Sequence, residues 1–202
     1  MSQTQIQFLG ATGTVTGSKT ALFAGNTLED RILIDCGLFQ GLKDNRRKNW
    51  NQLPVEPQSL GGVVITHAHI DHCGYLPRLV QDGFAHPIYC TPATAELMAI
   101  SLRDAAHLQE EEARYANKEG FSKHTPALPL FSTEDVEMTL ELVRQVKSSE
   151  PLTIGKNLTV RFLNSGHILG STSLQITSTA GEKPISIVFS GDLGRFGFPI
   201  LP

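Results

Sequence analysis

The 202-residue sequence predicts a layered α/β fold. Three observations predict it. Short apolar, β-branched runs alternate with helical segments as far as Val146, and the remainder is strand-rich. One apolar run, Gly62-Val63-Val64-Ile65, passes directly into Thr66-His67-Ala68-His69-Ile70-Asp71-His72-Cys73-Gly74 and then into a helical pattern. Reactive side chains in α/β proteins collect in such turns, at the carboxyl ends of strands. Two later Gly-bounded turns, each just past a predicted strand, present His167 and Asp192.

In chain order, Gln5 to Leu9 alternates as a first strand. Gly10 to Ser18 holds three glycines and several hydroxyls; it reads either as a flexible turn or as a loop whose backbone lies close to a substrate, through Gly13, Thr16, Gly17 and Ser18. Thr20 to Ala24 and Arg31 to Ile34 form a hairpin around Gly25-Asn26-Thr27. Asp35 closes that third strand before Gly37, either as a turn residue or as the partner that orients a metal ligand. Leu38 to Pro57 is polar and irregular, a solvated loop or short helix; with Arg46-Arg47-Lys48 and Trp50 its alternative role is a rim for a nucleic-acid strand.

Tyr75 to Gln81 is helical and stops at Asp82-Gly83, and Pro87 to Cys90 is a short strand. Thr91 caps a long helix with Pro92 at its first position, running from about Ala93 to Lys118 and carrying the solvated run Glu110-Glu111-Glu112. Gly120 to Phe131 is a Pro-containing loop. Ser132 or Thr133 starts another helix, predicted to reach Val146. Leu152 to Ile154 and Leu158 to Leu163 flank a Gly155-Lys156-Asn157 turn, and Thr172 to Thr177 and Ile185 to Phe189 are further strands.

The spacing of the central cluster carries chemistry. His67 and His69 are two apart, so in extended chain their side chains point the same way. Asp71 and His72 follow once the chain has turned and face a second point. Imidazole suits zinc, iron or manganese, and carboxylate extends the choice toward harder ions. His67, His69 and His167 make a three-His zinc site with an open fourth position; Asp71 and His72 start a second site, and Asp192 can bridge the two. Two divalent ions roughly 3.5–4 Å apart lower the pKa of a shared water toward ~7 and stabilise attacking and leaving oxygens, which suits hydrolysis of an ester, thioester or phosphodiester. His86, His107 and His124 read as surface or packing residues, and Cys73 as a small buried hydrophobe.

Composition bounds the rest. The chain is 40% hydrophobic and 18% charged, as in ordinary soluble globular proteins. No apolar run is long enough for a membrane span. The first residues, Met1 to Ile6, lack the pattern of a secretory signal. Three cysteines, Cys36, Cys73 and Cys90, do not suggest a disulfide framework, so a reducing cytoplasm is expected. A net charge of −3 does not advertise nucleic-acid binding, although two divalent ions would reverse the sign where a phosphate would sit.

The His-x-His-x-Asp-His run, the later His167 and Asp192 resemble the signature of the metallo-β-lactamase superfamily. The wording around them resembles one branch of it, the β-CASP ribonucleases: Gly-Ala-Thr-Gly-Thr-Val-Thr-Gly-Ser at 10–18, His-Cys-Gly-Tyr-Leu-Pro at 72–77, Pro-Leu-Phe-Ser-Thr-Glu-Asp-Val at 129–136, Gly-His-Ile-Leu-Gly-Ser at 166–171 and Ser-Gly-Asp-Leu-Gly-Arg at 190–195. The resemblance covers nearly the whole chain. It implies an αββα sandwich, two Zn2+ ions (Mn2+ or Fe2+ being possible substitutes), RNA as the substrate, and Asp71 and Asp35 as catalytic and orienting carboxylates.

Members of that branch continue past the Ser-Gly-Asp-Leu-Gly-Arg strand into a β-CASP domain and then return to finish the first domain. The resemblance therefore implies that residues 1–202 are the amino-terminal part of the metallo-β-lactamase domain, without the β-CASP domain, the domain's end or the late His of the second metal site. An uncovered strand edge would then favour a homodimer. Two other functions stay open at this point: a two-metal hydrolase of a small ester or thioester, and a non-catalytic metal-binding scaffold for RNA processing.

Overall fold

The computed structural model describes residues 3–148, 150–195 and 197. It contains two sheets and one layer of helices. The first sheet has six strands in sequence order: β1 (Gln5–Phe8), β2 (Lys19–Phe23), β3 (Arg31–Cys36), β4 (Gly62–Val64), β5 (Ile88–Cys90) and β6 (Val143–Gln145). β1, β2 and β3 are antiparallel; β3 to β6 are parallel, joined by crossovers that carry the helices. These are α1 (Lys43–Arg47), α2 (Ile70–Cys73), α3 (Leu76–Gln81), α4 (Pro92–Glu119) and α5 (Thr133–Glu141). The second sheet is antiparallel, in the order β10 (Ile185–Phe189), β9 (Thr172–Ser178), β8 (Leu158–Asn164) and β7 (Leu152–Ile154).

The central strands of the first sheet, β2 to β4, are buried on both faces, so they are apolar at successive positions rather than alternating, whereas β1 is exposed. Ala21, Leu33 and Val63 point to the helices, where they join Leu76, Leu79, Met98 and Phe131. Leu22, Ile32, Ile34 and Val64 point the other way and meet Leu158, Val160, Phe162, Leu174 and Ile176 of the second sheet. The second sheet alternates instead: β9 buries Leu174 and Ile176 while Ser173, Gln175 and Thr177 face outward. Among the described residues no helix lies on that polar outer face, so three layers of an αββα sandwich are described.

Local chemistry explains most boundaries. Thr91 caps α4 by accepting a hydrogen bond from the Thr94 amide, Pro92 stands in the first turn, and Gly120 ends the helix in the left-handed conformation. Ser132 and Asp135 form a capping box at the start of α5. One expectation is corrected here. The helix predicted to reach Val146 ends at Glu141, and Val143–Gln145 form β6. The open edge of β5 accounts for this, because the Ile88 amide donates to the Leu142 carbonyl and the Val146 amide to that of Cys90. A short stretch begun by the β-branched Val143 and followed by Val146 gains more from that pairing than from one more helical turn. His107 and His124 are exposed and His86 is half-buried, outside any cluster of ligands; Cys36, Cys73 and Cys90 are buried and unpaired.

Asp30 fastens the two sheets together at the end of the sandwich where β3 begins. Its buried carboxylate accepts hydrogen bonds from the Thr27 hydroxyl (2.8 Å), the Lys156 and Asn157 amides (both 2.9 Å) and the Asn157 side chain (2.8 Å). Burial opposes its charge, but these donors prevail and hold its pKa below 3.8. Replacement of Asp30 by Ala should cost about 3 kcal/mol of stability at neutral pH, read from urea unfolding. The contribution should persist above the ordinary carboxylate range and disappear as pH falls through the depressed pKa.

Lys19 is a second buried charge. Its ammonium donates to the Gly37 carbonyl and lies 4.7 Å and 4.5 Å from the ring centres of Phe39 and Tyr75. Burial pushes its pKa down to about 8. The unfolded chain, with an ordinary lysine, binds the extra proton between that value and about 10.5. The lysine therefore makes stability rise with pH above 8, by up to about 1.4 kcal/mol per pH unit. Unfolding of Lys19→Met between pH 8 and 9 should lack that rise; the same slope in both proteins would exclude a depressed Lys19.

Candidate metal centre

The carboxyl ends of β3 and β4 and the turns around β9 and β10 meet at one edge of the sandwich. Asp35, the penultimate residue of β3, lies in the left-handed region (φ 55°), a conformation that Asp tolerates better than most residues. Gly37 follows, and a Cβ there would fall 1.6 Å from the Asp71 carbonyl oxygen, so only glycine lets this turn lie against α2. The Leu38 amide donates to the Ile70 carbonyl, and the Ser18 amide to that of Asp71. The helix that carries Asp71 and His72 is thus tied to both neighbouring loops.

The second sheet is attached to the same point. The Thr172 amide donates to the Thr66 carbonyl (2.9 Å), joining the start of β9 to the end of β4. The Ser171 hydroxyl oxygen accepts the amides of His167 and Ile168, and the Gly170 carbonyl accepts the hydroxyls of Thr91 and Thr94 at the start of α4. The turns bearing His167 and Asp192 press together: a Cβ on Gly194 would lie 1.8 Å from the Gly166 carbonyl oxygen. Residues a hundred positions apart are held side by side in this way.

Three imidazole nitrogens converge. His69 Nδ1 is 3.1 Å from both His67 Nε2 and His167 Nε2. Asp192 Oδ2 is 3.8 Å from His67 Nε2 and 3.4 Å from His167 Nε2. One ligand atom from each of these four residues lies within 4.8 Å of the others. The other Asp192 oxygen, Oδ1, is 3.4 Å from His72 Nε2, which is itself 3.9 Å from Asp71 Oδ2. Asp192 therefore faces two groups of ligands, one with each oxygen.

Hydrogen-bond accounting sets the tautomers. Asp35 accepts the Thr66 amide (2.8 Å) and the Thr66 hydroxyl (2.9–3.0 Å), and its Oδ2 is 2.7 Å from His72 Nδ1. A carboxylate offers no proton, so His72 carries one on Nδ1 and turns the Nε2 lone pair toward Asp71 and Asp192. Thr66 gives its single hydroxyl proton to Asp35. Its oxygen, 3.0 Å from His67 Nδ1, is left to accept, which leaves the Nε2 lone pair of His67 in the cluster. Burial, then the neighbouring imidazoles of His72, His69 and His167, push the His67 pKa down to about 2. Burial also opposes charge on His72, but the Asp35 hydrogen bond and the charges of Asp35, Asp71 and Asp192 outweigh it and raise the pKa.

These groups fit metal ions. Unprotonated nitrogens 3.1 Å apart repel one another unless a cation or a proton lies between them. Zn–N bonds of about 2.0–2.1 Å place the nitrogens of a tetrahedral site roughly 3.3 Å apart. The carboxylates that favour a proton on His72 favour a cation at the same place.

All six predicted ligand residues, His67, His69, Asp71, His72, His167 and Asp192, thus lie at one edge, with Asp35 behind them. The predicted substrate loop is divided. Ser18 contacts the backbone of Asp71, Thr16 accepts the Gln40 amide, and Gly17 packs against Phe39, whereas Gly13 has nothing near it. Sequence reasoning missed Thr66 and Ser171. The signal for Thr66 was a hydroxyl directly before the first His at the end of a buried strand; Ser171, four residues after His167, gave no comparable sign.

The chain is 36% identical over 193 residues to Ribonuclease TTHA0252 of Thermus thermophilus, an alignment covering 96% of the chain and 38% of that protein. It is 28% identical over 189 residues to transcription termination factor FttA of Methanocaldococcus jannaschii, covering 94% and 27% respectively. It is 31% identical over 170 residues to an RNase J-like protein of the same organism, covering 84% and 32%. The chain thus spans well under half the length of these relatives. Among solved structures, a metallo-β-lactamase HARLDQ-motif mutant of Cronobacter sakazakii shares the fold with a TM-score of 0.57 at 21% identity, over 96% of this chain and 62% of that one. The family model of the metallo-β-lactamase superfamily matches residues 15–199, and the chain belongs to that superfamily.

Proposed function

We propose that this chain supplies the metal centre of an RNA phosphodiester hydrolase of the β-CASP type. One observation carries the reading: Asp192 turns one oxygen to the His67–His69–His167 nitrogens and the other to the Asp71–His72 pair. Relatives named as ribonucleases or as a termination factor support RNA as the substrate.

His67, His69 and His167 would hold one ion, Asp71 and His72 a second, and Asp192 would serve both. Zinc fits the nitrogen-rich group best, with manganese or iron as substitutes. Bound divalent ions supply a lowered pKa for water and charge stabilisation for in-line displacement. The residues do the rest. Asp35 holds the His72 tautomer, and through Thr66 that of His67. Asp71, whose side chain is 21% exposed, reaches solvent beside the cluster. It can accept a hydrogen bond from the attacking water and orient it. Burial of His67 and His72 keeps solvent from the base of the cluster, while the half-exposed Asp192 side leaves room for a phosphate.

Two measurements test the reading. Elemental analysis of the purified chain should find about two zinc ions per chain, with a clear drop in Asp192→Ala. Cleavage of a labelled single-stranded RNA should fall on the order of 100-fold or more in the same variant. Hydrolysis of a small ester or thioester with no action on RNA, or metal content unaffected by the substitution, would overturn the proposal. For the orienting role of Asp35, the Asp35→Asn variant should bind zinc roughly 10–100-fold more weakly in chelator competition, with its circular dichroism retained. Unchanged affinity would exclude that role.

A further inference from the structure

A groove of about 760 Å³ lies in the helix layer, between the segment that leaves the metal centre after β3 and the carboxyl-terminal half of α4 with the loop beyond it. One wall is Phe39 to Trp50. The other is Glu112 to Ala116 with Phe121, Leu128 and Pro129. We propose that this groove binds a single strand of RNA, with Trp50, Tyr115 and Phe121 stacking on bases and Lys43, Arg46 and Arg47 pairing with phosphates. The proposal extends the assignment of the metal centre to RNA and rests on it.

Both walls are held in shape. The buried Asn49 side chain accepts the Phe39 amide and donates to the Phe39 carbonyl, each at 2.8 Å. The Asn117 side chain does the same for the Ala127 amide (2.7 Å) and carbonyl (2.9 Å), fastening the 121–130 loop to α4. The groove is therefore preorganised rather than a gap between mobile loops.

The lining fits a polyanion with flat, apolar bases. Trp50, Tyr115 and Phe121 are 54%, 60% and 64% exposed, and the last two rings lean on each other 5.8 Å apart. Large aromatic side chains left in water within one concave surface mark a binding site. Residues 43–48 hold four cations and one acid, Asp44, in a chain whose net charge is −3. Among the described residues the side chains of Lys43 and Arg46 have no hydrogen-bond or ion-pair partner, and the Arg47 pair with Asp44 is exposed. The single acid of the lining is Glu112. Basic side chains interleaved with aromatic faces are the pattern by which proteins hold single strands. The groove is also rooted at the metal centre: the Leu38 amide bonds the Ile70 carbonyl, and Asp71 and His72 are the next residues of that helix. The wall of the groove is thus tied to the helix that carries Asp71 and His72.

Binding of a fluorescein-labelled ten-residue oligouridylate to the full chain, followed by anisotropy in EDTA so that cleavage is off, tests this. Arg46→Glu with Arg47→Glu should weaken binding at least about 10-fold and flatten the dependence of log K on log salt by about 1.4. Trp50→Ala should weaken it by roughly 5–100-fold, and Trp50→Phe much less. Arg161→Glu, on the outer face of the second sheet, should change nothing beyond a small general effect. Affinity unchanged in the groove variants, an equal loss in Arg161→Glu, or equal binding of double-stranded RNA would each overturn the groove. Groove variants that bind RNA normally while the wild-type chain cleaves it would sink the groove alone. Groove variants that lose RNA while the metal-loaded chain hydrolyses no phosphodiester would sink the hydrolase reading alone.

Discussion

The Asp35 carboxylate is the interaction on which the rest of the candidate metal centre depends. It is buried at the end of β3, in a left-handed conformation, and every oxygen contact it makes is to the cluster. A buried carboxylate must be matched by donors. The Thr66 amide and hydroxyl and His72 Nδ1 supply them. Meeting that demand fixes the direction of the His72 lone pair. It also removes the Thr66 proton, which fixes the lone pair of His67. One buried charge thus sets the donor character of two ligands from opposite ends of the same turn.

That charge works because strands and turns from both sheets reach the same edge. The parallel arrangement of β3 and β4 places Asp35 beside Thr66, and the Thr172–Thr66 hydrogen bond brings the second sheet to them. Glycines 37 and 194 allow backbone approaches that any side chain would block. Rigidity follows: ligands on a strand end, a short helix and two tied turns lose little entropy when they close on an ion.

Much of this was legible in the sequence because it is local. The His67–His72 spacing encodes a strand passing into a helix, the Thr91-Pro92 and Ser132–Asp135 caps encode helix starts, and Gly155-Lys156-Asn157 encodes a hairpin. What was not legible is tertiary. Val143–Gln145 reads as the end of a helix until the edge of β5 is there to pair with it. The cross-ties of Ser171 and Gly170 depend on loops meeting across the fold. The loop expected to meet substrate is tied down at Thr16 to Ser18, but a Cβ on Gly13 would meet nothing within 4 Å, so no contact marks its position. The basic and aromatic stretch at 43–50 was visible as composition, but its opposite wall on α4 lies more than sixty positions away.

The separation of the ligands along the chain has a consequence for kinetics. His67 to His72 follow β4 in the first sheet, whereas His167 and Asp192 lie in turns of the second. A complete ligand set is therefore absent from any species in which the two sheets are apart. An ion held by all of them favours the finished fold without guiding its early assembly. Where the sheets dock after the folding barrier, its chief effect falls on the rate of escape from the native state, because such interactions slow unfolding and leave refolding almost unchanged.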